Sequence, residues 1–269
     1  MKKLGTITST AEFIEYIQNY YKISKAKKHL FFRGHGDTDF KLLPSVFRPR
    51  SKYNEKEILL DFKQYAPDFN FSYDFIRDID KVLCDMQHNG LPTRLLDWTV
   101  SPLTALYFAV SSNLDKNGKI WIFNPWKYNN SIVNYKQHTQ IHDIHVIARS
   151  LLAIGEDEFI NNFIKDHYHF SKSFNFEDPL AFVAQFTNKR KIFQRGTFLI
   201  FGKNKQAFEE NDKSKDFLDY FIIPHRCKKK IFQELNNLYI NAYTIYPDFK
   251  GMQETIKEYG SLFNRIQLK

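Results

Sequence analysis

Met86-Gln87-His88-Asn89-Gly90-Leu91-Pro92-Thr93-Arg94-Leu95-Leu96-Asp97-Trp98-Thr99-Val100-Ser101-Pro102-Leu103-Thr104-Ala105-Leu106-Tyr107-Phe108-Ala109 compresses a helix end, a strand and a second helix into one short stretch. His88 and Asn89 close a helical pattern, Gly90 and Pro92 break the chain, and Leu95-Leu96-Asp97-Trp98 reads as a short buried strand. Ser101 is a good N-cap and Pro102 suits the first helical position, so a new helix begins directly after the strand. Its free N–H groups point back toward Thr99. A helix N-terminus beside a strand end favours anionic ligands, phosphates included.

Working outward, Ser9 and Glu12 form a capping-box pattern, and Phe13, Ile14, Ile17, Tyr20 and Tyr21 repeat at helical spacing, which predicts a first helix over 9–22. Leu30-Phe31-Phe32-Arg33, closed by Gly34 and Gly36, reads as a strand that leaves Arg33 at its end. Residues 55–66 and 74–87 carry amphipathic helical patterns, and Lys119-Ile120-Trp121-Ile122-Phe123 reads as a strand ended by Asn124-Pro125. Residues 126–155 give no clear pattern. Glu158 to Asp166 reads as helix, Thr197 to Phe201 and Tyr220 to Pro224 as strands, and 227–238 and 249–263 as helices. The expected class is α+β, with a mixed, largely antiparallel sheet core and surrounding helices.

The 269 residues contain no repeat, low-complexity tract or linker, so a single domain is expected over 1–269. An apolar content of 43% argues against disorder. The net charge of +9, with positive runs at Lys25 to Lys28, Lys189 to Lys191 and Arg226 to Lys230, suits attraction to nucleic acid or simply reflects a Lys-rich composition. Met1-Lys2-Lys3 has no apolar run behind it and no stretch reaches membrane-spanning length, so no membrane partner is expected. Cys84 and Cys227 form no Cys-x-x-Cys pair, which fits a reduced, cytoplasmic setting. His142-Asp143-Ile144-His145 and His167-Tyr168-His169 lack a recognised zinc spacing, so no metal is expected. Phosphate-loop, dinucleotide-fold and hydrolase-elbow patterns are absent.

The opening block, preceded by Phe32-Arg33-Gly34 and by Leu42-Leu43-Pro44-Ser45-Val46-Phe47-Arg48, resembles the FRG domain family, named for its Phe/Tyr-Arg-Gly motif. The resemblance extends to Arg190-Lys191-Ile192-Phe193-Gln194-Arg195-Gly196-Thr197-Phe198 and to Ile245-Tyr246-Pro247-Asp248-Phe249-Lys250-Gly251, and so covers most of residues 30–256. It implies a setting in anti-phage defence or toxicity, and no fixed chemistry.

The order of motifs is also similar, more distantly, to the ADP-ribosyltransferase superfamily. That resemblance implies an NAD-consuming transferase or glycohydrolase with NAD as co-substrate and a nucleic acid or protein as acceptor. Arg33 would clamp phosphate or ribose with Gly34 beside it, and Thr99 and Ser101 would supply ribose-side hydroxyls. Gln194 would take the late-strand position, and His88 would serve as a general base. Arg suits phosphate because its fork is planar, whereas a carboxylate suits developing positive charge. Here the sequence departs from the pattern: no Glu-x-Glu or Gln-x-Glu pair stands near Gln194, leaving Asp97 or a distant Glu254 to supply charge. Each residue also has a structural reading. Arg33 would pair with Asp97, Arg94 and Asp97 would be structural, Thr99 and Ser101 would start the helix, and His88 would close one. The alternative function is a non-catalytic nucleic-acid-binding module with a basic face.

Overall fold

The computed structural model describes residues 1–24, 30–49, 51–73, 79–132, 178–183 and 189–260. Within them the chain is α+β. Seven strands form one sheet: β1 (Lys2–Thr6), β2 (Phe31–His35), β3 (Leu95–Thr99), β4 (Gly118–Phe123), β5 (Leu180–Phe182), β6 (Gly196–Ile200) and β7 (Leu218–Ile223), in the order β1-β7-β4-β2-β3-β6-β5. The β1–β7 pair is parallel and the other pairs are antiparallel. The helices are α1 (Thr10–Ser24), α2 (Glu55–Tyr65), α3 (Ile79–His88), α4 (Pro102–Val110), α5 (Pro125–Ile132), α6 (Lys189–Gln194), α7 (His225–Asn237), α8 (Ala242–Ile245) and α9 (Phe249–Tyr259).

Side-chain alternation along β2 decides what covers each face. Phe32 and Gly34 turn toward α4, where Phe32 joins Ala105, Leu106 and Val110 with Phe13 and Ile17 of α1 and Ile231 and Leu235 of α7. Gly34 is there for space. A Cβ at that position would drive into the Ala105 carbonyl, so only glycine lets α4 lie directly on β2. Phe31 turns the other way, into an aromatic cluster with Trp98, Trp121, Phe123, Tyr128 and Phe208. A third cluster fills the space between α3 and the β3–β6–β5 end of the sheet, through Val82, Leu83, Met86, Leu95, Phe182, Phe198 and Ile200. Each such fully buried side chain contributes roughly 1.5–3 kcal/mol.

Two buried ionic arrangements tie these layers together. Arg94, beside β3, donates Nε to Glu55 Oε2 at 2.7 Å, and its backbone N–H donates to Glu55 Oε1 at 2.7 Å, with the two side chains 11% and 6% exposed. This pins α2 to the sheet, and Arg94 is structural. Lys228 of α7, fully buried, donates Nζ to the carbonyls of Gly36, Ser112 and Asn113 at 2.6, 2.9 and 2.9 Å. It thereby ties the turn after α4 to the end of β2. Burial lowers the pKa of this ammonium, and Asp37 and Asp115 oppose that effect.

Several sequence-based expectations need correction. A strand, β1, precedes the first helix, and Arg33 lies mid-strand because the β2–β4 ladder continues through His35 opposite Lys119. Gln194 ends helix α6 rather than standing on a strand; β6 begins two residues later, at Gly196. The unassigned segment 126–155 contains helix α5 up to Ile132. The helix expected at Glu158 to Asp166 and both histidine pairs, 142–145 and 167–169, lie outside the described residues.

Candidate functional site

The β2–β3 junction is where the sheet comes apart. Phe32 pairs with Thr99, and no further pair follows, although β3 pairs with β6 from Leu95 to Thr99 and β2 pairs with β4 from Phe31 to His35. A cavity of about 270 Å³ opens at this split, between α3 on one side and α4 with the segment after α8 on the other. Arg33, Gly34, Gln87, His88, Asp97, Thr99 and Gln194 supply its polar wall, and Trp98, Phe108, Phe198 and Tyr246 its aromatic one.

Arg33 is half-buried and held on two sides. Its Nε donates to His35 Nε2 at 3.0 Å, and its Nη1 donates to the Asp97 carbonyl, taking the acceptor that a continued ladder would have used. Burial lowers the Arg33 pKa, Asp97 opposes this, and Arg48 adds to it. A guanidinium nonetheless stays charged at neutral pH. His35 is held well below the usual histidine range, first by burial and then by the charges of Arg33, Lys119 and Arg48, with the Phe40 backbone opposing weakly. A neutral ring is what lets Nε2 accept from Arg33. Nδ1 then carries the proton and has no well-formed hydrogen bond.

Across the split, the Asp97 carboxylate is fixed by the last turn of α3. Gln87 Nε2 donates to Asp97 Oδ2 at 2.7 Å and to the Leu95 carbonyl at 3.2 Å, while Gln87 Oε1 accepts from Thr93 Oγ1. Arg33 therefore meets the Asp97 backbone, and the carboxylate makes no salt bridge with it. Asp97 is the one carboxylate among the described residues lining the cavity. Glu254, on α9, is exposed, pairs loosely with Lys250 at 4.0 Å, and lies outside the cavity lining.

Thr99 and Ser101 are committed to building the junction. Thr99 Oγ1 donates to the Gln194 carbonyl at 2.6 Å and accepts from the Ser101 N–H at 2.9 Å; Ser101 Oγ accepts from the Thr104 N–H at 3.3 Å and caps α4. Of the N–H groups expected to point back at a ligand, those of Ser101 and Thr104 are met by these hydroxyls. Thr99 lines the cavity and Ser101 does not. Gln194 Nε2 donates to the Ile245 carbonyl at 3.1 Å, which ties α6 to the wall that carries Tyr246. His88 lines the cavity as the last residue of α3, ahead of a turn whose Gly90 takes the left-handed φ of +85°.

The structure brings Arg33, Gly34, His88, Thr99 and Gln194 together and adds residues that the sequence reading passed over. Gln87 and Tyr246 each stood inside a quoted motif, and His35 lies between the two glycines, Gly34 and Gly36, that close the first strand pattern. Of the positive runs, Lys25 to Lys28 lie outside the described residues, and in the run from Arg226 to Lys230 the Lys228 side chain points inward. Lys228 is buried, while Lys41, Lys213, Lys215, Lys230 and Lys250 lie 2.6–4.0 Å from carboxylates.

Residues 28–118 match the FRG domain family. The FRG match contains Arg33, Gly34, His88, Asp97, Thr99 and Ser101, and so both strands that border the split; Gln194 and Tyr246, from beyond it, complete the cavity. No curated protein and no solved structure matches the chain. Among the described residues no helix is long and apolar enough to cross a membrane, and no group of His, Cys, Asp and Glu is placed to hold a metal ion.

Proposed function

We propose that the cavity binds NAD with its nicotinamide and adjoining ribose innermost, and that the protein cleaves the bond between them, passing the ribose to water or to an acceptor nucleophile. The observation that carries this reading is the placement of one guanidinium, Arg33, and one buttressed carboxylate, Asp97, on the two strands that border an aromatic-walled cavity at the sheet split. The volume of 270 Å³ sits just under the range of about 300–1,000 Å³ common for ligand pockets, so it suits the nicotinamide end rather than a whole dinucleotide.

The roles follow from charge. Arg33 holds phosphate on the side of the cavity away from the Gln87 buttress. As the C–N bond breaks, nicotinamide leaves with the bonding pair and positive charge grows on the ribose, where the Asp97 carboxylate stabilises it. Gln87 keeps that carboxylate aimed, and His88 takes the proton lost by the attacking hydroxyl. Trp98, Phe108 and Tyr246 supply the aromatic surface against which the base packs. An FRG-type chain of this kind fits a toxin or defence effector. The basic-face reading as a nucleic-acid module has weaker support, because Lys228 of the described basic run is buried and Lys230 lies beside Glu234.

Incubation of the purified chain with NAD and chromatography of free nicotinamide tests the proposal. Release by wild type that disappears in Asp97→Asn and in Arg33→Lys, both still folded, is the expected result. Undiminished release in either variant, or none from wild type with nucleic acid and protein acceptors supplied, overturns it.

A further inference from the structure

The α3 wall of the cavity carries a thiol that the reaction proposed above does not use. Cys84, Gln87 and His88 stand at positions i, i+3 and i+4 of α3, and all three line the cavity. That spacing puts them on one helix face, with neighbouring Cβ atoms about 5–6 Å apart. Cys84 is 1% exposed and forms no disulfide, and the space it borders is the cavity of about 270 Å³.

A cysteine surrounded only by apolar side chains stays a neutral, inert thiol. Cys84 packs with Leu83, Leu95 and Phe198 on its core side, but its cavity side is polar. His88 closes α3, where the helix dipole favours an imidazolium, and an imidazolium one turn from a thiol favours the thiolate. A second feature marks the cavity as a place for an entering molecule. Trp98, 3% exposed, lines it, and the indole Nε1 has no hydrogen-bond partner among the described residues. Cys227 supplies the contrast: it lies on α7, is more exposed than Cys84, and does not line the cavity. Exposure alone would make Cys227 the more reactive thiol, whereas the cavity chemistry favours Cys84.

We propose that Cys84 is a covalent modification site whose reagent is a small aliphatic disulfide. His88 takes the thiol proton and the Cys84 thiolate attacks one sulfur of the reagent. The S–S bond of the reagent breaks as a new one forms to Cys84, and the released thiolate leaves with the proton held by His88. The Cys84 sulfur is oxidised and the leaving sulfur reduced, so the exchange needs no further reactant. The attached group fills part of the cavity and shuts out its ligand until a reducing thiol removes it. The modification stands on α3 and the cavity; only its effect on turnover rests on the function proposed above.

Treatment of the full chain with 2-hydroxyethyl disulfide, followed by intact mass spectrometry and peptide mapping, tests this in wild type, Cys227→Ser and His88→Gln. The first adduct is expected at Cys84 in wild type, at an unchanged rate in Cys227→Ser. In His88→Gln it should form about tenfold more slowly near pH 7, with a rate that climbs toward the ordinary thiol pKa of about 8.5. A first adduct at Cys227, a Cys84 that reacts only in denaturant, or a pH profile unchanged in folded His88→Gln overturns the proposal. The nicotinamide assay separates the two claims. A Cys84 adduct on a chain that releases no nicotinamide removes the enzymatic reading and keeps the modification site; release from a chain whose Cys84 takes no adduct removes the modification site alone.

Discussion

On one side β2 is zipped to β4 over every residue from Phe31 to His35, and on the other it meets β3 only at Phe32. β3 is not a poor strand, since it pairs with β6 over its whole length. What differs is the chemistry of the facing edges. Toward β4 the backbone groups find each other. Past Phe32 toward β3, a guanidinium takes the Asp97 carbonyl and the strands stay apart. Backbone polar groups need partners wherever they are buried, so a gap in a ladder persists only when side chains supply them. Arg33 and Gln87 supply them here, and a cavity is the result.

The strongest break of this contrast is chemical. Asp97→Asn keeps an oxygen for the Gln87 amide, so the gap and the fold should survive, while nicotinamide release falls by about 10²–10³-fold. Urea unfolding beside the activity assay separates lost charge from lost structure. On the zipped side, Gly34→Ala should cost about 3 kcal/mol or prevent folding, because α4 would be pushed off β2. Gly90→Ala meets no neighbouring atom and is strained only through its φ of +85°, so it should cost about 1 kcal/mol. Equal losses in the two variants would show that close packing of α4 is not what Gly34 provides.

Lys228→Met removes the ammonium that ties the turn after α4 to the end of β2 and leaves three carbonyls short of a donor. About 2–3 kcal/mol of stability should go, read from the denaturation midpoint. The smallest effect is the pH dependence from His35. Its folded pKa lies well below the unfolded value of about 6.5, so between the two the unfolded chain binds the extra proton. The contribution of His35 is complete above pH of about 6.5 and declines as the pH falls toward the folded pKa. Midpoints at pH 7.5 and 5.5 should show a drop in wild type that is smaller in His35→Gln.

Much of this was legible in the chain. Ser101 and Pro102 announced α4, and its cap is as the residue types require. The helices α2 and α7 followed their apolar spacing. β1 was missed because it is an edge strand with little buried surface, and β5 because three residues carry no period. Lys228 looked like part of a solvated run, yet its spacing to Ile231 and Leu235 puts it on the buried stripe of α7, a signal that charge concealed. Gln87 and Asp97 could not be paired from sequence, since only the packing of α3 beside β3 joins them. Gln194 differs for a related reason: the late-strand position assigned to it lies at the end of a short helix, two residues before β6.

Trp98 lies in the cavity wall, buried, with its Nε1 lacking a hydrogen-bond partner among the described residues, and its ring reports directly on whether a ligand enters the split. The decisive measurement is tryptophan emission during NAD titration, in wild type, Trp98→Phe and Arg33→Lys. A saturable change in wild type, lost in Trp98→Phe and shifted to higher NAD concentration in Arg33→Lys, is the predicted result. A response that survives in Trp98→Phe, or a folded wild type whose emission ignores NAD, would contradict a ligand site between β2 and β3.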